Sequence, residues 1–330
     1  MRRIQIKMDL SIIIPHYENI DGLEILLQSI FSDSIIHPDI YFEVLVIDDY
    51  SCDKTKEELI RLQSKFNFKL YHNDSIKSAG TCRNIGIDNS KGKWLLFADS
   101  DDYFLPEFLK NVSKYFDYDF DIVFFPPISR VSGSDIESDR HIKYQKLIND
   151  YKYNNDELLL RIKWLSPWSK LIKKELIIKN RIKFDSILAG NDIYFSISIG
   201  LKANRINIDE CNIYCINKRQ ISLVANPTYE HCFSRIKGQL NGNKLLYENK
   251  LGKYKFSFLR LIIKTSRFGF LHFWKAFCYI LLNLDNPFNN FPLFIHEYLK
   301  SKNYRNGGKP LKAIIQAIYR RICMFFEKKR

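Results

Sequence analysis

Apolar and polar positions alternate along this chain in two kinds of stretch. Residues 10–15, 42–47, 68–71 and 94–98 are short apolar runs with few or no charges, the pattern of strands buried on both faces. Between them apolar residues recur at three- and four-residue spacing, as in Leu23, Leu26, Leu27 and Ile30, which predicts helices. Residues 54–66 read as a second helix with Asp53 as its N-cap. Ser78-Ala-Gly-Thr-Cys-Arg-Asn-Ile-Gly86 opens another, and residues 122–127 form a further strand. This rhythm predicts an α/β fold built on a mostly parallel sheet flanked by helices. The loops at the strands' C-terminal ends are polar, and open sheets of this kind bind ligands along that edge.

From residue 129 the pattern loosens. Residues 129–139 read as a flexible loop rich in Ser and Asp, and residues 144–153 as a polar stretch of Lys, Asn and Tyr. Apolar density returns at residues 256–284, where Arg260, Lys264, Arg267, His272 and Lys275 interrupt it. Only nine residues separate Lys275 from Asp285, too few to cross a bilayer. On one helix Lys253, Arg260, Lys264, Arg267 and Lys275 would fall at offsets 0, 7, 11, 14 and 22, nearly whole turns. The opposite face would carry Phe258, Leu261, Ile262, Phe273 and Phe277. Such a helix lies in a membrane interface, or else packs on the preceding domain with its basic face in water. A second stretch of this character covers residues 310–326, with Lys312, Arg320 and Arg321 among apolar residues.

Charge follows the same division. Lys and Arg number 51 against 37 Asp and Glu in 330 residues, a formal net charge of +14. Residues 1–130 carry 15 basic and 21 acidic side chains, whereas residues 231–330 carry 20 and 4. The basic excess belongs to the tail and implies an anionic surface as partner, membrane or nucleic acid. Nucleic acid is disfavoured, because no recognised binding module appears and the basic residues alternate with apolar ones. The expected division is therefore a first domain over residues 1–225 and a basic helical extension over residues 226–330. Seven cysteines at irregular spacing make no disulfide framework, which points to a reducing compartment. Cys211 and Cys215 read as ordinary buried thiols. Two arginines with no apolar stretch before Asp9 do not read as a secretory leader. The expected place is the cytoplasm, peripheral on the inner face of the cell membrane.

The sharpest chemical signal ends the run at residues 94–98, where Asp99, Asp101 and Asp102 place three carboxylates within four residues. Like charges at that spacing require a countercharge. Mn²⁺ or Mg²⁺ fits, since both prefer oxygen ligands and share coordination with substrate phosphates. A solvated turn or a helix N-cap is the other reading of the spacing alone.

Four segments together resemble one family. Ser11-Ile-Ile-Ile-Pro15 with Tyr17 and Asn19, Val46-Ile-Asp-Asp-Tyr-Ser51, residues 79–86 with Arg83-Asn84, and Phe97-Ala-Asp-Ser-Asp-Asp102 occur in the order and spacing of family 2 glycosyltransferases. These have the GT-A fold, and the similarity runs over residues 9–225. The resemblance implies that Pro15, Tyr17, Glu18, Asp48, Asp49, Arg83, Asp99 and Ser100 contact a nucleotide-diphosphate sugar. It implies Asp99 and Asp101 as the ribose and metal carboxylates. Asp192, in Gly190-Asn191-Asp192, falls at the family's catalytic base, and Asn191 stands where the family has glutamate. Trp168 and Lys170, in Ser166-Pro-Trp-Ser-Lys170, are assigned with Asp102 to the acceptor side. Trp168 suits a core equally, Arg83 a helix surface and Asp48 a helix cap. Arg219-Gln-Ile-Ser222 resembles the segment that closes over the donor.

The expectation is metal-dependent transfer of a sugar from a nucleotide-diphosphate sugar, foremost a UDP-sugar. The acceptor is a hydroxyl of a glycan or lipid-linked intermediate in cell-surface polysaccharide synthesis. Inversion at the anomeric carbon is implied by the resemblance alone. The chemistry is coherent by itself: a departing diphosphate needs electrostatic stabilisation, and an attacking hydroxyl needs a carboxylate to take its proton. A nucleotidyltransferase would use similar carboxylates. A non-catalytic binding module would have no need of the intact Asp-Ser-Asp-Asp.

Overall fold

The computed structural model describes residues 8–218 and 227–283; the 219–222 segment and the stretch at 310–326 lie outside them. β1 (Leu10–His16), α1 (Ile20–Ile36), β2 (Phe42–Asp48), α2 (Asp53–Lys65), β3 (Lys69–His72), α3 (Ala79–Asn89) and β4 (Trp94–Phe97) alternate as the apolar pattern predicts. β1 pairs in parallel with β2 and β4, and β2 with β3. All of β1 and β4 is buried, which is why their sequences run apolar without a polar face. Glu43, a charge inside β2, is answered by the Ser11 hydroxyl and the Lys69 ammonium, each at 2.6 Å. Asp53 begins α2 and does not cap it; Cys52 holds the N-cap position. The Glu18 carboxylate accepts from the Cys52 N–H at 2.5 Å and the Thr55 hydroxyl at 2.6 Å. A loop residue thus holds the start of α2 through the N-cap N–H and a first-turn hydroxyl.

β5 (Tyr103–Phe104), α4 (Phe108–Ser113), β6 (Ile122–Phe124), β7 (Ile128–Val131), α5 (Ile142–Asn154) and α6 (Glu157–Lys163) follow. β8 (Lys170–Lys173), α7 (Lys174–Lys179), α8 (Asp192–Lys202), β9 (Ile206–Ile208) and β10 (Tyr214–Lys218) complete the layers. The main sheet has the order β3-β2-β1-β4-β8-β6-β9, with β8 antiparallel to both neighbours and the other pairs parallel. A smaller sheet, β5-β10-β7, joins it through the segment after β4. Two expectations change here. The stretch at 129–139 is no free loop, for β7 pairs with β10 and Arg130 bridges to Glu137. Residues 144–153 lie within α5, which buries Tyr144 and Ile148 and leaves its polar residues outward. Composition hides both, because a distant strand and a helix stripe decide them.

α9 (Tyr229–Glu248), a 3₁₀ turn (Gly252–Tyr254), α10 (Leu259–Ser266) and α11 (Phe270–Leu282) end the described chain. α9 packs on the start of α8 without clearance. A Cβ on Gly238 would lie 2.4 Å from the Gly190 carbonyl oxygen, and the Ser234 hydroxyl exchanges hydrogen bonds with the Ala189 backbone at 2.9 and 3.0 Å. The single basic helix expected from the sequence does not form. Gly269 takes φ +111° between α10 and α11, a conformation costly for any other residue, so the basic stripe is broken into pieces. Phe258, Leu261, Ile262, Phe273 and Phe277 cluster with Ile236 and Leu240 of α9 and face protein. Among the described residues no helix is long and apolar enough to cross a membrane.

Candidate active site

The ends of β1, β2 and β4 and the start of α3 surround a cleft of about 300 Å³. Parallel register is the cause: His16 sits opposite Asp48, and Ile13 opposite Phe97, so the loops that follow stand side by side. The cleft gathers Pro15, Tyr17, Asp49, Arg83, Asp99, Ser100 and Asp101 from the sequence-predicted set, with His16, Asn19 and Ala79 beside them. Glu18, Asp48, Asp102, Trp168, Lys170 and Asp192 are not part of that lining. Glu18 is turned to the start of α2, as described. Asp48 is buried and accepts from the Ser51 N–H at 3.2 Å, with His16 Nδ1 at 3.3 Å. The Asn19 N–H donates to His16 Nε2, so the neutral ring carries its proton on Nδ1 and presents it to Asp48. Burial raises the Asp48 carboxyl, but the hydrogen bonds from His16 and Ser51 outweigh it and hold it below the usual range.

Asp49 does reach the cleft. One of its oxygens accepts from Asn73 Nδ2 at 2.7 Å and from the Ser78 N–H at 3.1 Å. Ser78 in turn caps α3 by accepting from the Thr81 N–H, which fixes where Arg83 emerges one turn later. Arg83 is buried, contrary to its surface reading. Its guanidinium donates to Asp99 Oδ1 at 2.6 Å and to Asn191 Oδ1 at 3.0 Å, leaving Nε without a partner. Asn19 Nδ2 holds the Ser100 carbonyl at 2.9 Å, and Lys77 stands 3.4 Å over the Tyr17 ring.

The carboxylates of Asp99, Asp101 and Asp102 offer oxygens within 4.8 Å of one another. An all-oxygen, all-anionic set suits Mg²⁺ or Mn²⁺. The three are not equivalent. Asp102 accepts from the Tyr214 hydroxyl at 2.9 Å and from the Asn217 N–H at 2.8 Å, so both its oxygens are engaged. Burial, then the charges of Asp101 and Asp99, pushes its carboxyl well above the usual range. Asp99 and Asp101 line the cleft and are the pair placed to hold a cation. The same Tyr214 oxygen accepts from the Asp99 N–H at 2.9 Å, fastening the acidic turn to β10.

Asp192 is the first residue of α8, and Asn191 holds the N-cap position without a side-chain capping bond. Asp192 is partly exposed as a residue, yet the protein crowded around it desolvates the carboxyl and raises it, with the Arg83 charge working the other way. Trp168 and Lys170 lie behind the site. Trp168 stacks on Tyr214 with ring centres 5.4 Å apart and meets Tyr144 edge-on. Lys170, 1% exposed, donates to the Trp164 carbonyl at 3.1 Å and to Ser196 Oγ at 3.3 Å. Burial brings its ammonium down to about 7, against the pull of Asp192. Tyr214, Asn73 and Lys77 escape a reading of the sequence, since none stands in a patterned motif; Tyr214 is a lone aromatic in a strand.

Residues 11–181 match the model of Glycosyl transferase family 2. Over 203 residues the chain is 27% identical to TarS of Staphylococcus aureus, a poly(ribitol-phosphate) beta-N-acetylglucosaminyltransferase, covering 61% of this chain and 34% of TarS. It therefore spans about a third of that relative. The crystal structure of TarS 1–349 in complex with UDP-GlcNAc shares the fold at a TM-score of 0.56 and 24% identity, over 79% of this chain and 74% of that one. WfgD of Escherichia coli, a UDP-Glc:alpha-D-GlcNAc-diphosphoundecaprenol beta-1,3-glucosyltransferase, is 24% identical over 273 residues, 79% of this chain and 96% of WfgD. The mannosyltransferase PcManGT from Pyrobaculum calidifontis, in complex with GDP-Man and Mn²⁺, shares the fold at a TM-score of 0.51 and 13% identity, over 92% and 83% of the two chains. The family match extends over more than half of the residues and contains every residue that lines the cleft, and this chain belongs to glycosyltransferase family 2.

Proposed function

We propose that the chain moves a sugar from a UDP-sugar to a hydroxyl of a glycan or lipid-linked acceptor, inverting the anomeric carbon. One observation carries the reading: Arg83 joins the acidic turn at Asp99 to the loop that presents Asp192. Donor-side and base-side groups thus meet around a single guanidinium. Pro15, Tyr17 and Asp49 form the end of the cleft that takes base and ribose, and Ser100 with Asp99 the end that takes the diphosphate. Arg83 is placed to offset the phosphate charge that develops at that end. Mn²⁺ or Mg²⁺ held by Asp99 and Asp101 would add electrostatic stabilisation of the leaving diphosphate. Asp192 takes the acceptor proton, and its raised carboxyl makes it a stronger base than an exposed aspartate.

Donors carrying UDP are supported by TarS, whose structure holds UDP-GlcNAc, and by WfgD, which uses UDP-Glc, and acceptors on polyol phosphate or polyprenyl diphosphate by the same two relatives. The role is then one step of surface-polysaccharide assembly, carried out on the inner face of the membrane with the helices after residue 226 as the docking region. The test is a screen of nucleotide-sugars for slow hydrolysis with Mn²⁺ or Mg²⁺, which needs no knowledge of the acceptor. Metal-dependent UDP release from one UDP-sugar, abolished in Asp101→Ala, is the expected result. Failure to bind or hydrolyse any nucleotide-sugar with either metal would overturn the reading.

A further inference from the structure

α11 is apolar nearly all the way round. Phe273, Ala276, Phe277 and Ile280 are buried in the cluster shared with α9 and α10. On the other side Phe270 is 75%, Leu271 76%, Leu282 81% and Trp274 40% exposed. At 100° per residue these four, with Leu281, fall within an arc of about 120°. One protein layer accounts for one apolar face of a helix, and among the described residues no other element covers the second. A contiguous exposed patch of this kind marks an interaction surface.

Its surroundings identify the partner. Residues 249–283 contain seven Lys and Arg and no Asp or Glu. Arg267 stands just before the Gly269 turn and Lys275 just after Trp274, both exposed. Aromatic and aliphatic side chains rimmed by basic ones match the headgroup zone of an anionic bilayer, rings and Leu at the acyl boundary and cations at the phosphates. A second copy on the same face would bring two patches with the same basic rim together, since a two-fold contact repeats one patch. We infer that the turn at Gly269 and the outer face of α11 seat this enzyme on an anionic lipid bilayer. This rests on the proposed membrane location, and it puts the contact on the face opposite to the one the sequence pattern points to.

Trp94, Trp164 and Trp168 are buried, so Trp274 reports the contact almost alone. Full-length protein is mixed with phosphatidylglycerol vesicles whose acyl chains carry bromine, and with phosphatidylcholine vesicles as the neutral arm. The expected result is fluorescence quenching on the anionic vesicles, absent in Trp274→Phe and weak on the neutral ones. Leu271→Glu should bind about tenfold or more weakly, the worth of one buried leucine. Thermal unfolding and UDP-sugar hydrolysis in solution, measured on the same variants, separate a folding defect or a failed sugar-transfer reading from a failed docking surface. Vesicle binding without quenching of Trp274, or unaltered binding by Leu271→Glu, would overturn the assignment. So would concentration-dependent dimers that Leu271→Glu dissolves while no vesicle is bound.

Discussion

Arg83 Nη1 lies 3.0 Å from Oδ1 of Asn191, the residue immediately before Asp192. The acceptor there is an amide, so among the described residues the carboxylate paired with Arg83 is that of Asp99, at 2.6 Å. Asn191→Asp would add a second negative charge next to Asp192. A like charge disfavours ionisation, and a base works only when ionised. The rising acid limb of kcat/KM, set by Asp192, should therefore move to higher pH in Asn191→Asp. A pH profile of transfer measures it, and an unmoved limb would show that Asp192 does not set that limb.

Asp192→Asn keeps the shape of the site and removes the proton acceptor. Transfer should fall by roughly 10²–10⁴-fold, while calorimetry finds UDP and Mn²⁺ affinity close to wild type. A helix-capping role would leave the variant nearly normal, and the structure has already moved the N-cap to Asn191. Loss of both affinity and turnover would mean a damaged fold in place of a missing base.

Tyr214→Phe should lower stability by about 1–3 kcal/mol, the cost of leaving buried polar groups unmet. Its hydroxyl serves the Asp99 N–H and the Asp102 carboxyl together. Chemical denaturation gives the number. Donor affinity should fall as well, because the acidic turn loses its fastening to β10; a variant as stable as wild type would mean the hydroxyl is dispensable.

Lys170 yields a stability that depends on pH. Its folded value is depressed to about 7 from an ordinary 10.5, and the unfolded chain keeps the ordinary value. Between the two the unfolded state binds more protons, so stability rises with pH across that window; as pH falls it is lost across the same window and levels off below about 7. Lys170→Met removes the dependence. Relative to that variant, wild type should gain on the order of 3 kcal/mol between neutral pH and pH 10. Parallel melting temperatures for both proteins over that range would refute it.

Much of the cleft was legible because its residues follow directly on buried strands. Pro15, Asp49 and Asp99 each stand where an apolar run stops, and parallel register brings such ends together. The framing of the site was not legible. Tyr214 reaches Asp102 across 112 residues, and nothing in the residues around it marks the partner. Glu18 looked like a ligand contact from its place in the motif and serves α2 from a loop with φ +49°. The tail misled differently: its basic spacing holds for one unbroken helix, and Gly269, an ordinary residue in a list of letters, ends that helix. The apolar face expected to meet lipid had a nearer partner in α9.

α9 ties the two ends of this molecule together. It grips the backbone at Ala189 and Gly190, immediately before Asn191 and Asp192, and carries α10 and α11 on its other side. With α11 resting on a bilayer, Asp192 stands at a set height above the lipid headgroups, and the packing at Gly190 leaves little slack to change it. An acceptor hydroxyl would then be chosen by reach: a sugar too near its lipid anchor would stop short of the base, and one several residues out would pass beyond it.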